Sequence, residues 1–145
     1  MIHSSYYLDN KFVDEIIEII NTYDGKQIYE GTCTKKGVQT NNIINLFNNK
    51  LIKKMLPMQN IETEIFWLHY IKYNKGGYQK QHNHPDEKYS FILYLNNADG
   101  DTVFKEPMNI KITPEKGKVI IFDGKILHYA EPSFKEKKVL VGAIK

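Results

Sequence analysis

The chain contains no arginine: all 20 of its basic residues are lysine. An anion that needs a fixed positive partner here must therefore use a lysine ammonium, a point charge on a flexible stem rather than a planar fork. Cysteine is almost absent. A single one, Cys33, excludes an intramolecular disulfide and makes a reducing compartment the default expectation. Long hydrophobic runs are missing, and the start, Met1-Ile2-His3-Ser4-Ser5, lacks the apolar stretch of a secretion signal. The expectation is a soluble, cytoplasmic protein with no membrane partner. An excess of one charge is lacking too. Twenty basic against 17 acidic residues leave a formal +3, too small and too scattered to indicate nucleic acid.

What is present suits one domain over residues 1–145, with 41% apolar residues for a core. The N-terminal part, about 1–60, reads as helical. Phe12, Ile16, Ile19, Ile20 and Tyr23 recur at three- and four-residue spacing after a capping Asp9 or Asn10, and Asp24-Gly25 closes the helix. A second helix is predicted over Asn41–Met55, ended by Pro57. From about residue 61 to 145 the period changes to that of strands. Short runs follow one another: Ile65–Tyr73, Tyr78–His82, Tyr89–Leu95, Thr102–Phe104, Ile110–Ile112, Lys118–Phe122, Leu127–Ala130 and Val139–Ile144. Gly, Pro and Asp turns separate them, among them Glu106-Pro107, and Gln27–Cys33 is a candidate outer strand. Such a series predicts a sandwich, barrel or jelly roll, with the two helices on one outer face.

Five histidines occur. His3 has no chemical neighbours in sequence, and His69 lies in an apolar strand, so both read as structural. The segment Gln81-His82-Asn83-His84-Pro85-Asp86 differs. Residues i and i+2 of a strand share a face, so His82 can join His84, and His84 can join Asp86 if the strand continues. Two adjacent donors and a distant one, His128, form the layout of a facial metal triad, which leaves open positions on a non-haem iron. His82 and His128 are the leading ligands, with His84 as the third or Asp86 reaching in from the turn; the overlapping set His84, Asp86 and His128 also stays open. Pro85 tends to end the strand, which makes that last set less regular.

The order of motifs from Tyr73 to Ile144 resembles the iron(II)/2-oxoglutarate-dependent oxygenases, in particular the compact phage and bacterial type of the prolyl-hydroxylase-like branch. The motifs are Tyr73-Asn-Lys-Gly-Gly-Tyr78, His82-Asn-His84-Pro, Ser90-Phe-Ile-Leu-Tyr94-Leu-Asn96, Gly100-Asp-Thr-Val-Phe104, Pro114 to Phe122, His128 and Lys138. The resemblance implies a double-stranded β-helix (a cupin-like jelly roll). It implies Fe(II), with 2-oxoglutarate and O2 as cosubstrates, and hydroxylation coupled to decarboxylation of 2-oxoglutarate to succinate. It also implies that Tyr94, with Tyr73 as a weaker candidate, and a cation about ten residues past the last histidine hold the far carboxylate of 2-oxoglutarate. Among Lys135, Lys137 and Lys138, the cation is expected at Lys138. Strand alternation would set Lys138, Leu140, Gly142 and Ile144 on the barrel interior, with Lys135 and Lys137 on a solvated turn. The family's usual motif is His-x-Asp, and His82-x-His84 departs from it. The primary substrate is unreadable: a peptide prolyl residue, an amino acid or another small molecule all fit. The rivals are a cupin-like metal-binding module, a three-histidine cupin dioxygenase without 2-oxoglutarate, and a degenerate structural domain.

Overall fold

Alternating apolar residues on short strands leave two faces to bury, and this chain buries both. The computed structural model describes residues 2–23, 28–29, 31, 33–57, 65–105 and 108–144. Its strands are β1 (Ile2–Tyr7), β2 (Ile28–Tyr29), β3 (Thr34–Thr40), β4 (Ile65–His82), β5 (Tyr89–Tyr94), β6 (Thr102–Phe104), β7 (Ile110–Ile112), β8 (Lys118–Asp123), β9 (His128–Ser133) and β10 (Lys137–Ile144). They form one curled antiparallel sheet in the order β1-β8-β5-β10-β4-β9-β6-β7, with β3 also on β4 and β2 on β3. This is the mainly β jelly-roll half-barrel, with helices α1 (Asn10–Asn21) and α2 (Asn49–Met55).

The two runs Ile65–Tyr73 and Tyr78–His82 are one strand. β4 pairs through Ile65 to Tyr73 with β10, and through Gly77 to His82 with β9, so it joins the two leaves of the sheet. Gly76, at φ +82°, supplies the left-handed step at the bend.

The face toward the helices carries Leu68, Phe91, Leu93, Val119, Ile121, Leu140 and Ile144, packed with Phe12, Val13, Ile16 and Ile20 of α1. The opposite face carries Ile71, Tyr73, Ile92, Tyr94, Ile120, Phe122 and Val139. The side chain of Asp9 caps α1 by accepting from the Lys11 N–H at 3.3 Å.

The N-terminal part differs from its reading as helical. β1 pairs with β8, and β3 lies along β4. β1 is an edge strand with one half-buried face, Ile2, Ser4 and Tyr6, too weakly apolar to stand out in sequence. The helix predicted over Asn41–Met55 is broken into a 3-10 turn (Ile44–Leu46) and α2. At the break an asparagine side chain takes an internal backbone donor, that of Leu51, and a second asparagine ties the segment to β4. Asn42 Oδ1 accepts from the N–H groups of Ile44 and Leu68, and Asn48 Oδ1 accepts from Leu51 N–H to start α2. The Asp24-Gly25 stop, the Glu106-Pro107 break and part of the Gln27–Cys33 run lie outside the described residues. No helix among the described residues is long and apolar enough to cross a membrane.

Candidate metal centre and cavity

His82 ends β4 and His128 begins β9, and the two are register partners. His84 follows two residues later, past the strand end. Each of the three offers a ring nitrogen within 4.8 Å of the others'. Ring centroids are 4.4 Å apart for His82 and His128, 5.0 Å for His82 and His84, and 5.7 Å for His84 and His128. His82 Nδ1–H donates to the Lys80 carbonyl at 2.7 Å, and His128 Nδ1–H to the Ile126 carbonyl at 3.0 Å. Those bonds select the tautomer whose Nε2 keeps its lone pair for a metal. Burial, followed by mutual repulsion, lowers the His84 pKa to about 4 and that of His128 to about 3. Burial lowers that of His82 as well. All three rings are thus neutral at pH 7, the ligating form. The rings of Phe122 and Phe104 pack on His128, at 4.8 and 5.8 Å between centroids.

The His84 segment is pinned from two sides. Its N–H donates to the Gly124 carbonyl at 2.6 Å, and its carbonyl accepts from Glu87 N–H at 3.1 Å. A Cβ on residue 124 would run into the carbonyl oxygens of Glu87 and His84, so the turn after β8 can come this close only as glycine. Asp86 sits exposed on the turn and is outside the three-histidine group. The neighbouring acid, Glu87, is the one drawn inward. Its Oε1 accepts from Trp67 Nε1–H at 2.7 Å, its Oε2 from Ser90 Oγ–H at 3.3 Å, and Oε2 lies 3.7 Å from His84 Nδ1. Burial pushes its carboxyl pKa up.

A cavity of about 270 Å³ extends from the histidines between the two leaves. Lys137, Tyr73, Tyr94, Thr102 and Gln79 form its polar end. Lys137 is 1% exposed; its ammonium donates to the Gly100 carbonyl at 2.8 Å and lies 4.5 Å from the centre of the Tyr73 ring. Among the described residues no carboxylate lies within ion-pair distance of it. Burial lowers its pKa to about 8, against the weaker opposing pull of Asp101, Asp99 and Glu131. Tyr94 and Thr102 share a hydroxyl–hydroxyl hydrogen bond of 2.6 Å, and Tyr73 donates to Gln79 Oε1 at 2.8 Å. Burial pushes both phenols up.

Lys138 requires a correction. It lies outside the cavity, half-buried, with its ammonium 3.4 Å from Glu136 Oε1. The strand begins at Lys137, and Lys137, Val139 and Val141 line the cavity, with Gly142 bordering it as well, whereas Leu140 and Ile144 pack toward the helices. The alternation is present but its interior face is the other one. His69, read as structural, lines the cavity beside Trp67, with ring centroids 4.9 Å apart. Its Nδ1 pairs with the Thr40 carbonyl at 2.8 Å. Their shared parity with Ile71 and Tyr73 on β4 was the available signal.

No family model matches the sequence, and no curated protein matches it. Solved structures match its fold over nearly the whole chain. A prolyl-4-hydroxylase from Pseudomonas putida superposes with a TM-score of 0.74 at 16% identity, covering 98% of this chain and 91% of that one. The viral collagen prolyl hydroxylase of Paramecium bursaria chlorella virus 1, in its 2-oxoglutarate complex, gives 0.73 at 18% identity, covering 97% and 94%. HygX from Streptomyces hygroscopicus, with nickel and 2-oxoglutarate bound, gives 0.74 at 7% identity, covering 97% and 81%. The fold is that of the prolyl-hydroxylase-like iron(II)/2-oxoglutarate oxygenases.

Proposed function

We propose that this chain is an iron(II)- and 2-oxoglutarate-dependent hydroxylase whose metal is held by His82, His84 and His128. The observation that carries the reading is Lys137: a buried ammonium with no carboxylate in ion-pair reach among the described residues, on the same cavity as three convergent, neutral histidines. A fold keeps an unpaired buried charge at a cost unless a ligand of opposite charge completes it.

The residues fit a divalent ion and 2-oxoglutarate. Three ring nitrogens on one side leave further positions of a divalent ion open. The polar end lies at a suitable depth. Phe104 of β6 is the register partner of His128, and Thr102 stands two residues along the same strand. At strand rise the offset is about 7 Å, comparable to the span of a five-carbon dicarboxylate. Lys137 would hold the far carboxylate as its cation, and the Tyr94 and Thr102 hydroxyls would orient it. Bound iron with 2-oxoglutarate supplies oxidative chemistry that no side chain here can perform. The chain's own part is to anchor, orient and exclude water. Phe104, Phe122 and Ile92 present apolar walls around His128 and the cavity. Trp67 and His69 line the cavity beside His84 and would face the primary substrate. A peptide prolyl residue is the substrate class to test first, with amino acids and other small molecules beside it.

The all-histidine set favours a second reading, a three-histidine dioxygenase without 2-oxoglutarate, but that reading leaves Lys137 without a role. One experiment separates them. Anaerobic titration should give one iron(II) per wild-type chain, and 2-oxoglutarate should then be turned over slowly to succinate, once air is admitted, without other substrate. His128→Ala should lose both. Iron binding without 2-oxoglutarate binding or succinate would overturn the proposal in favour of the second reading, and undiminished iron in His128→Ala would remove the triad itself.

A further inference from the structure

The geometry points to Glu87 as the outer carboxylate of this centre, a positioning residue that sets its charge against His84 Nδ1 and supplies the negative charge an all-histidine set lacks. The inference rests on the reading that His82, His84 and His128 bind the metal.

The three rings are not supported alike. His82 and His128 each rest on a backbone carbonyl, those of Lys80 and Ile126. A carbonyl fixes a ring but carries no net charge. The group that faces His84 Nδ1 is the carboxylate of Glu87, at 3.7 Å, an ion-pair distance rather than a hydrogen bond. It is thus the only one of the three supports able to return charge through the ring. A divalent ion bound by two histidines and a carboxylate keeps one positive charge, and one bound by three neutral histidines keeps two. A carboxylate one imidazole away makes the ligand more basic and offsets part of that excess.

Glu87 is built for this. Its side chain is 11% exposed, and the Trp67 indole and Ser90 hydroxyl fix its orientation. Its N–H holds the His84 carbonyl, and the close approach of Gly124 locks both backbones against the β8 turn. Trp67 would be satisfied equally by a glutamine oxygen. Its hydrogen bond therefore does not require an acid in this nearly closed place, where a carboxylate is costly to desolvate. Asp86, one residue earlier, is turned to solvent.

The test uses cobalt(II) as the probe, titrated against a competing chelator and followed by its visible absorption. Glu87→Gln keeps the shape and the acceptor for Trp67, so its melting temperature without metal should match or exceed that of wild type. Its cobalt affinity should fall by about 10- to 100-fold, and Glu87→Asp should recover part of the loss. Because Glu87 acts through His84, Glu87→Gln should change the residual affinity of His84→Ala by less than about twofold, within the error expected of a closed cycle. Wild-type affinity in Glu87→Gln would overturn the inference and leave Glu87 as a structural acceptor for Trp67. An equal loss in both backgrounds would overturn it too, by showing that the effect bypasses His84. Cobalt binding that survives His128→Ala unchanged would instead dismiss the three-histidine centre, and Glu87's role with it.

Discussion

Replacing Lys137 by methionine should weaken 2-oxoglutarate binding while making the ligand-free protein more stable. Methionine keeps most of the buried stem and removes the charge. In the free protein Lys137 has one hydrogen bond to a carbonyl and a pKa lowered from 10.5 to about 8 by burial. A tenfold change in proton affinity corresponds to about 1.4 kcal/mol, so the fold disfavours the charged form by about 3 kcal/mol at pH 7. The sign follows from proton binding. Between the folded value near 8 and the unfolded value near 10.5, the unfolded chain holds more protons, so stability should rise with pH across that window. Lys137→Met should abolish this rise and raise stability at pH 7, less whatever its sulfur loses in packing. With ligand the balance reverses. A buried carboxylate left without its cation costs about 3–5 kcal/mol, or hundreds- to thousands-fold in affinity. Wild-type affinity for 2-oxoglutarate should also fall above about pH 8, where the free ammonium loses its proton. Calorimetric titration into the manganese(II)-loaded protein, with melts of the metal-free protein from pH 7 to 10, measures all of these. Wild-type 2-oxoglutarate affinity in Lys137→Met, or a large loss in Lys138→Ala instead, would refute the reasoning.

Two further outcomes follow from the same geometry. Tyr94→Phe removes the hydroxyl shared with Thr102 and should lower 2-oxoglutarate affinity by about 10- to 100-fold, the worth of a hydrogen bond to a charged group, while metal affinity in the same titration stays unchanged. Gly124→Ala forces a methyl group into the carbonyls of Glu87 and His84; it should destabilise the metal-free protein by about 1–3 kcal/mol in denaturant unfolding, and weaken metal binding by displacing His84.

Much of the scaffold was legible along the chain because its signals are local. Turn residues separated the short strands, and the period of Phe12, Ile16 and Ile20 marked α1. Local signals also misled where side chains outcompeted period. Asn48 took the Leu51 N–H, a backbone donor that a continuous second helix would have needed. β1 escaped notice because its partner, β8, lies more than a hundred residues away and only one of its faces is half-buried.

By itself the sequence determined the donors available: three histidines at 82, 84 and 128, lysine as the sole cation, and the two-residue spacing that lets His82 and His84 share a side. Only the tertiary structure decided which donors converge. The pinning of His84 against Gly124 turns Glu87 inward and Asp86 outward, a choice that rests on contact with a turn forty residues away. Likewise, only the fold decided between Lys137 and Lys138. Alternation divides a strand into two faces but does not say which is inside when both are buried. In β10 one face meets α1 and its apolar partners, the other meets the cavity, and Leu140 looks as much like a barrel residue as Val139 does. The helical layer makes the pattern symmetric in sequence, and its placement breaks that symmetry, setting the lysine at 137 inside and the one at 138 against Glu136.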